Sequence, residues 1–443
     1  MEINGPLTEW ILEQLERASP QSFQGGARAI TEWVFGSLMG ERELKEVRAL
    51  LDRPAPTAPR ASTVLLPGIL GSLLSSLRGI STTLWFNPTL LLDGHLNLLD
   101  LNDDGTDDRS PDVEIQPTGI EKMYYLKMII ALANATRLYE FPYDWRRHIE
   151  HSAHILHNSL ERWSQRDPDR RYVLIAHSMG GLVARAYLAL YPQHAEEHIA
   201  RLLLIGSPLW GVPMATAALA GAAVHTQIVS RLNDSNDAID FVARLPSSYQ
   251  LLPAPPEHYH SELPYPCDWD LYNAAAWRLP HIRQDYLDAA RRLYALLDGA
   301  DPQVEIAQIA GCNSRTLTRV QLSDSREQQE GEPEHLTLAY AVDGIEGGDG
   351  TVPLYATRAS NITSYYVNET HDLLPGNSKV IDATLAIAQG ETPKLPTDPP
   401  PAERSELPLT PVSIAQQVAQ LRKRIETGSA NRDDLTKLFF LKH

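Results

Sequence analysis

Two hydrophobic patterns alternate along the chain. Short runs rich in apolar and β-branched residues occur at Ser62-Thr63-Val64-Leu65-Leu66, Tyr172-Val173-Leu174-Ile175 and Ile362-Thr363-Ser364-Tyr365-Tyr366-Val367. Such runs predict buried strands. The run Leu182-Val183-Ala184-Arg185-Ala186-Tyr187-Leu188 predicts a helix directly after the second strand. At the two ends of the chain the apolar positions recur with helical spacing. Leu7, Ile11, Leu12 and Leu15, then Ile30, Trp33, Val34 and Leu38, then Leu44, Val47 and Leu51 predict three short helices punctuated by Gly25-Gly26 and Gly40. Ile414, Val418, Leu421 and Ile425, followed by Leu435, Leu438, Phe439 and Leu441, predict a C-terminal helical segment. The expected role of these terminal stripes is packing onto the core. Pro54–Pro59 and Pro393–Pro401 read as extended linkers.

The predicted class is α/β, with a mostly parallel central sheet and helices on both faces. The expected organisation is a helical N-terminal extension (1–60), a core (61–213 and 303–392), a cap insertion (214–302), and a linker with C-terminal helices (393–443). The cap begins with the small apolar run Ala215–Val224, read as a flexible, lipid-facing helix. A second insertion, 73–118, carries Leu84-Trp85-Phe86 and Leu90-Leu91-Leu92 and is expected to form a lid.

Candidate chemistry sits at the junction of the second strand and its helix. Ala176-His177-Ser178-Met179-Gly180-Gly181 places a serine between strand and helix with small residues around it, the pattern of a nucleophile elbow. A serine hydroxyl needs a histidine to take its proton and a carboxylate to orient that histidine. Gly347-Gly348-Asp349-Gly350-Thr351 presents a carboxylate on a glycine-rich turn, and His371 follows the last predicted strand. Ser178, Asp349 and His371 stand in the chain order of an α/β-hydrolase triad. Asp343 and Asp372 are rival carboxylates; the first is expected to cap the turn, and the second adjoins the histidine with poor geometry. The loop Pro67-Gly68-Ile69-Leu70-Gly71-Ser72 and the N–H of Met179 are the expected sources of an oxyanion hole. His177 is read as a packing residue, because neighbours in a strand face opposite ways.

Pro67–Ser72, Leu84-Trp85, Pro142-Tyr143-Asp144-Trp145-Arg146, Ala176–Gly181, Gly348–Pro353 and His371 occur here in the order in which they recur in one family. In these motifs the chain resembles the lecithin:cholesterol acyltransferase-like lipases, over about residues 62–390. Gly206–Pro213 and Pro246–Pro253 resemble that family's segments after the next strand and in the cap. The resemblance implies an α/β-hydrolase fold and a serine hydrolase of lipid-like carboxylic esters, a lipase or phospholipase, with acyl transfer as a further activity. It implies Ile69 as the first oxyanion donor and Trp85 in a lid-bearing loop; Leu70 and Trp85 are expected at the substrate. Tyr143–Arg146 is read as structural, its aspartate–arginine pair fixing a loop. The alternative is a partner-regulated effector or interaction protein whose helical ends bind another protein.

Composition narrows the partners. A net charge of −17 over 443 residues argues against nucleic acid and gives no attraction to anionic bilayers. No apolar run is long enough to span a membrane. No basic n-region with an apolar core opens the chain, so a cytoplasmic protein, or one exported without a cleaved signal, is expected. Cys267 and Cys312 are the two cysteines, and a bridge between them is not expected in a reducing compartment. Asp100–Asp108 opens like a calcium loop, but Pro111 stands where the closing glutamate belongs, leaving a solvated acidic loop as the main reading. No cofactor and no metal ligand set is expected, since no zinc-like histidine spacing is present.

Overall fold

The computed structural model describes residues 7–23, 28–54, 61–78, 82–165, 167, 170–261, 263–300, 302–323, 336–402 and 413–439. Gly25-Gly26, Leu441 and most of the first proline-rich linker lie outside them. The described strands are β1 (Ser62–Leu66), β2 (Ser72–Ser76), β3 (Thr82–Trp85), β4 (Ile115–Ile120), β5 (Arg137–Glu140), β6 (Tyr172–His177), β7 (Ile199–Ile205), β8 (Glu305–Cys312), β9 (Thr316–Leu322), β10 (Leu336–Ala341) and β11 (Thr363–Asn368).

Six strands form one parallel sheet in the order β11-β8-β7-β6-β1-β5. Burial follows position in that order. Every residue of β1 and β6 is buried, whereas the edge strand β5 is nowhere fully buried. This is why the central strands carry unbroken apolar runs and the edges do not. Helices Ile149–Ser164, Met179–Leu190 and Gln284–Asp298 pack together as one layer, and helices Glu41–Leu51, Lys122–Ala135 and Ser378–Ala388 form a second. This is the α/β-hydrolase fold: the chain passes from the C-terminal end of β6 straight into a helix through Ser178. The apolar residues of the N-terminal helices, sheet, cap and C-terminal helices join one continuous core.

Several local expectations change. Val34, Phe35 and Leu38 of helix Arg28–Met39 are buried, but Ile30 and Trp33 are exposed, so the packed face is rotated from the predicted one. The insertion after β1 contains a three-stranded antiparallel sheet, β3-β2-β4. Its strands carry Ser75, Ser76, Thr82 and Pro117, which hid it from hydrophobic pattern. Helix Pro213–Leu219 is buried at every position, and its Met214 and Ala215 border the cavity at Ser178. The second proline-rich stretch lies against the sheet edge, where Tyr366 N–H donates to Pro396 O at 2.9 Å and Asn313 Nδ2 to Pro400 O at 2.8 Å. Among the described residues no helix is long and apolar enough to cross a membrane. Cys267 and Cys312 are both buried free thiols.

Candidate active site

Ser178 stands between β6 and helix Met179–Leu190 with φ 53° and ψ −127°, a left-handed conformation that a residue with a Cβ adopts only under constraint. Its N–H donates to Ile205 O at 2.9 Å, and its carbonyl accepts from Gly181 N–H at 2.9 Å. The turn also needs the absence of a side chain nearby: a Cβ on Gly180 would lie 2.5 Å from Pro67 O. The turn thus brings the Leu66–Pro67 backbone close to the elbow.

His371 and Asp349 converge on the serine. His371 Nε2 lies 2.8 Å from Ser178 Oγ, and Nδ1 lies 2.8 Å from Asp349 Oδ2. The Asp349 side chain, not that of Asp343 or Asp372, bonds the ring. A carboxylate accepts, so Nδ1 carries the proton and Nε2 is free to receive the serine's. Asp349 is fixed in turn: Oδ1 accepts from Thr351 N–H at 3.0 Å and Val352 N–H at 2.7 Å, and its carbonyl accepts from His371 N–H at 2.8 Å. All three side chains are buried.

The Pro67–Ser72 loop lies beside Ser178. A Cβ on Gly68 would lie 2.8 Å from Ser178 Cβ, so only glycine permits this approach. Ile69 N–H and Met179 N–H have no acceptor among the described residues. The loop is held by side chains from four places. Tyr143 OH donates to Pro67 O at 2.8 Å, Trp145 Nε1 to Ser72 O at 3.1 Å and Trp85 Nε1 to Leu70 O at 2.8 Å, while Tyr125 OH accepts from Gly68 N–H at 2.8 Å. The Tyr143–Arg146 motif therefore buttresses the Pro67–Ser72 loop. Arg146, fully buried, binds Asp144 Oδ1 through Nε at 2.9 Å and Oδ2 through Nη2 at 2.8 Å; it also donates to Leu99 O and Asp108, both at 2.9 Å. Burial pushes the Asp144 carboxyl up, but the adjoining Arg146 charge outweighs it and holds the group below the usual carboxylate range.

His177, expected to pack, is instead part of a polar chain. Its Nε2 lies 3.0 Å from His371 O and its Nδ1 2.7 Å from Tyr125 OH. A carbonyl only accepts, so Nε2 carries hydrogen; in the neutral ring Nδ1 then accepts from Tyr125, whose oxygen accepts from Gly68. Burial raises the Tyr125 pKa, which keeps the phenol protonated. The chain ties Gly68 of the Pro67–Ser72 loop to the backbone of His371. The histidine was visible in the sequence motif, but Tyr125 gave no signal within an apolar helix.

The cavity at Ser178 is small, about 30 Å³ of space open to a water's centre. That is room for little more than a water molecule. Ile69, Tyr125, Val212, Met214, Leu251 and Phe439 contribute to its wall. Phe439, from the far C-terminus, is the least expected. It is buried, with its ring 4.8 Å from Phe86, 5.4 Å from Trp85 and 5.5 Å from Tyr124. Leu70 and Trp85, expected at the substrate, do not line this cavity. Both are fully buried; Leu70 takes φ 62° in the loop, and Trp85 lies behind Phe439 and against Trp145 at 5.5 Å. Neither side chain reaches the cavity beside Ser178, where both were expected.

The acidic loop is countered by arginines. Asp108 pairs with Arg146 at 2.9 Å, Asp103 with Arg109 at 3.2 Å and Asp107 with Arg147 at 3.7 Å. Asn102 Oδ1 accepts from Thr106 N–H and Asp107 N–H, which closes the loop on itself.

The family model described as lecithin:cholesterol acyltransferase matches residues 106–288, a span holding Tyr143–Arg146, Ser178 and most of the cap but not Ile69, Asp349 or His371. The chain is 24% identical over 192 residues to phospholipase A(1) LCAT3 of Arabidopsis thaliana, covering 35% of this chain and 43% of that protein. It is 25% identical over 219 residues to lecithin-cholesterol acyltransferase-like 4 of the same plant, covering 40% of each. The chain thus spans under half the length of the curated relatives it matches. Among solved structures, a chain of the Tle4-Tli4 complex is similar at 13% identity and TM-score 0.48, covering 75% of this chain and 99% of that one. The mature Bacillus licheniformis lipase BlEst2 is similar at 13% identity and TM-score 0.34, covering 76% and 91%.

Proposed function

This chain is a distant member of the lecithin:cholesterol acyltransferase-like family of α/β-hydrolases, and on that premise we propose that it cleaves lipid-like carboxylic esters through an acyl-enzyme on Ser178. The observation that carries the reading is the Ser178–His371–Asp349 geometry at a strained elbow. Ser178 Oγ attacks the ester carbonyl carbon as His371 Nε2 takes its proton. The carbonyl oxygen becomes an oxyanion, and the Ile69 and Met179 N–H groups are the donors available to it. His371 then passes the proton to the departing alcohol oxygen, leaving the acyl group on the serine. Water, deprotonated by the same nitrogen, releases the acid; an alcohol in its place gives acyl transfer.

The chain-length preference follows from the cavity wall. An acyl chain needs a volume on the order of several hundred Å³, far beyond the space beside Ser178. In this reading the C-terminal segment withdraws Phe439 and bares Trp85 and Phe86, which become the acyl-binding wall. Medium and long acyl esters are therefore preferred over acetate, each buried methylene adding up to about 0.8 kcal/mol.

The test is labelling with a fluorophosphonate, then kinetics on p-nitrophenyl esters of graded chain length below their micellar concentrations. Ser178→Ala is expected to abolish both labelling and turnover while leaving the thermal melt intact. Labelling that survives in Ser178→Ala rejects the nucleophile; efficiency that peaks at acetate rejects the lipid substrate.

A second reading, a protein partner on the helical termini, is favoured by the exposed residues Trp10, Ile30 and Trp33 at 36%, 52% and 51%. Alanine at Trp10 and Trp33 leaves ester hydrolysis unchanged in that reading. A lost activity would instead tie the patch to the enzyme.

A further inference from the structure

On the sheet layer formed by helices Ile149–Ser164 and Met179–Leu190, away from the elbow, lies a cluster that the hydrolytic chemistry does not use. His157 and Glu161 stand one turn apart on the first helix, and His194 and His198 stand one turn apart on the short helix Pro192–His198. One ligand atom from each of His157, Glu161 and His194 falls within 4.8 Å of the others. Helix Met179–Leu190 starts at Ser178 and runs on to Leu190 before this second helix begins, so roughly 18 Å of helix separates the serine from the cluster.

The donor atoms are unspent. His157 Nδ1, His194 Nε2 and His198 Nδ1 are buried with no hydrogen-bond partner. His194 Nε2 comes within 3.0 Å of Glu161 Oε1 yet makes no hydrogen bond with it. The two groups share a space without donating to each other. The opposite nitrogen, His194 Nδ1, lies 2.7 Å from Tyr187 OH, a fully buried hydroxyl. When Nδ1–H donates to that oxygen, Nε2 carries its lone pair into the cluster, the arrangement by which a supporting partner orients a metal-binding imidazole. The His157 ring is held by stacking on Tyr191 at 3.8 Å and 10°. The His198 ring lies 4.4 Å from that of His194 and packs beside it. Leaving buried imidazole nitrogens unpaired is costly, and a cation between His157, Glu161 and His194 is a group that satisfies this pair of rings at once.

We propose that His157, Glu161 and His194 bind a divalent transition metal of the zinc class and clamp helix Ile149–Ser164 to helix Pro192–His198. Imidazole nitrogen with one carboxylate suits zinc and its neighbours over magnesium or calcium, which take oxygen. The separation from Ser178 makes the site structural. The sequence hides it because each helix supplies only one spaced pair, and the pairs meet only once the helices pack.

The experiment uses the full chain, stripped with a chelator and dialysed, titrated with zinc chloride alone against a chromophoric competitor, with bound metal measured by mass spectrometry. Wild type is expected to hold one zinc per chain and to melt a few degrees higher with zinc than without. His157→Gln and the solvent-facing Glu161→Gln each weaken binding about 10-fold or more and shrink the thermal shift. A His258→Asn, His260→Asn double variant, which removes another surface histidine pair, leaves both unchanged. Ester hydrolysis by zinc-free wild type matches that of the loaded protein. Equal zinc affinity in wild type and Glu161→Gln, or binding lost only in the His258/His260 variant, overturns the site. A His157→Gln protein that fails to fold leaves Glu161→Gln to decide, since that side chain is 52% exposed.

Discussion

Replacing Phe439 by alanine tests whether the C-terminus seals the site. The ring is 1% exposed and packs on Trp85, Phe86 and Tyr124. Truncating a buried phenylalanine to alanine costs about 3–5 kcal/mol. Where that energy is lost is the question. Phe439 belongs to a segment, 413–439, that follows residues outside the described set and docks through Val418, Leu421, Ile425, Leu435 and Leu438. A Tyr124–Thr436 hydrogen bond and an Arg432–Glu43 pair at 3.2 Å add to the docking. If the loss falls on docking, it moves the docked-to-undocked ratio by roughly two to three and a half powers of ten, at about 1.4 kcal/mol for each. The substrate-competent fraction rises with it, and apparent affinity follows that fraction. Part of the gain is forfeited because the phenyl also shapes the wall. A rise of at least about 10-fold in kcat/KM for p-nitrophenyl decanoate is therefore expected, with a smaller rise for acetate. The main unfolding transition is expected to move little, since the sheet and its helices are untouched. The assay is the ester series together with a thermal melt. An unchanged or lower decanoate efficiency in a protein that melts normally refutes the seal. A large drop in the main transition with no kinetic gain makes Phe439 an ordinary core residue.

Other predictions follow from the buttressing of the elbow. Gly68→Ala, which forces a Cβ to 2.8 Å from Ser178 Cβ, is expected to cut kcat about 100-fold or more with the fold retained; wild-type turnover would show that the loop yields freely. Arg146→Lys leaves the buried Asp144 without its forked partner and the half-buried Asp108 without its bond, and is expected to cost about 3–5 kcal/mol in urea unfolding; a loss below about 1 kcal/mol would contradict the assigned role. His177→Phe removes both the Tyr125 and the His371 bonds; kcat should fall while KM stays near wild type, and an unchanged kcat would return His177 to a packing role. Asp100 carries a pH test: burial raises its pKa from 3.8 to about 6, so the folded state keeps a proton that the unfolded chain releases, and this contribution to stability is lost as pH rises from about 4 to about 6. Asp100→Asn should therefore gain stability relative to wild type on going from pH 4 to pH 7, and a gap in melting temperature that does not change with pH would exclude that titration.

The sequence by itself carried whatever depends on local chemistry. A buried strand announces itself by an unbroken apolar run, and the turn after it by the small residues that Ser178's conformation requires. The positions of Ser178, Asp349 and His371 were legible because each sits on a short motif with its own backbone signature, and their order along the chain restricted how they combine. The supports of that site were not legible. Tyr125 sits in a helix in which nearly every residue is apolar, and only packing turns its hydroxyl toward Gly68 and His177. The three-stranded sheet is written in serine, threonine and proline, residues that pattern alone assigns to loops. Ile30 and Trp33 fit a helical stripe, yet the packed face turned away from them, because spacing fixes which residues share a face and not what that face meets. Phe439 and the His157–Glu161–His194 cluster depend on segments far apart in the chain arriving at one place. Long-range juxtaposition is set by the sum of many weak contacts across the whole core, and no local stretch of sequence encodes that sum.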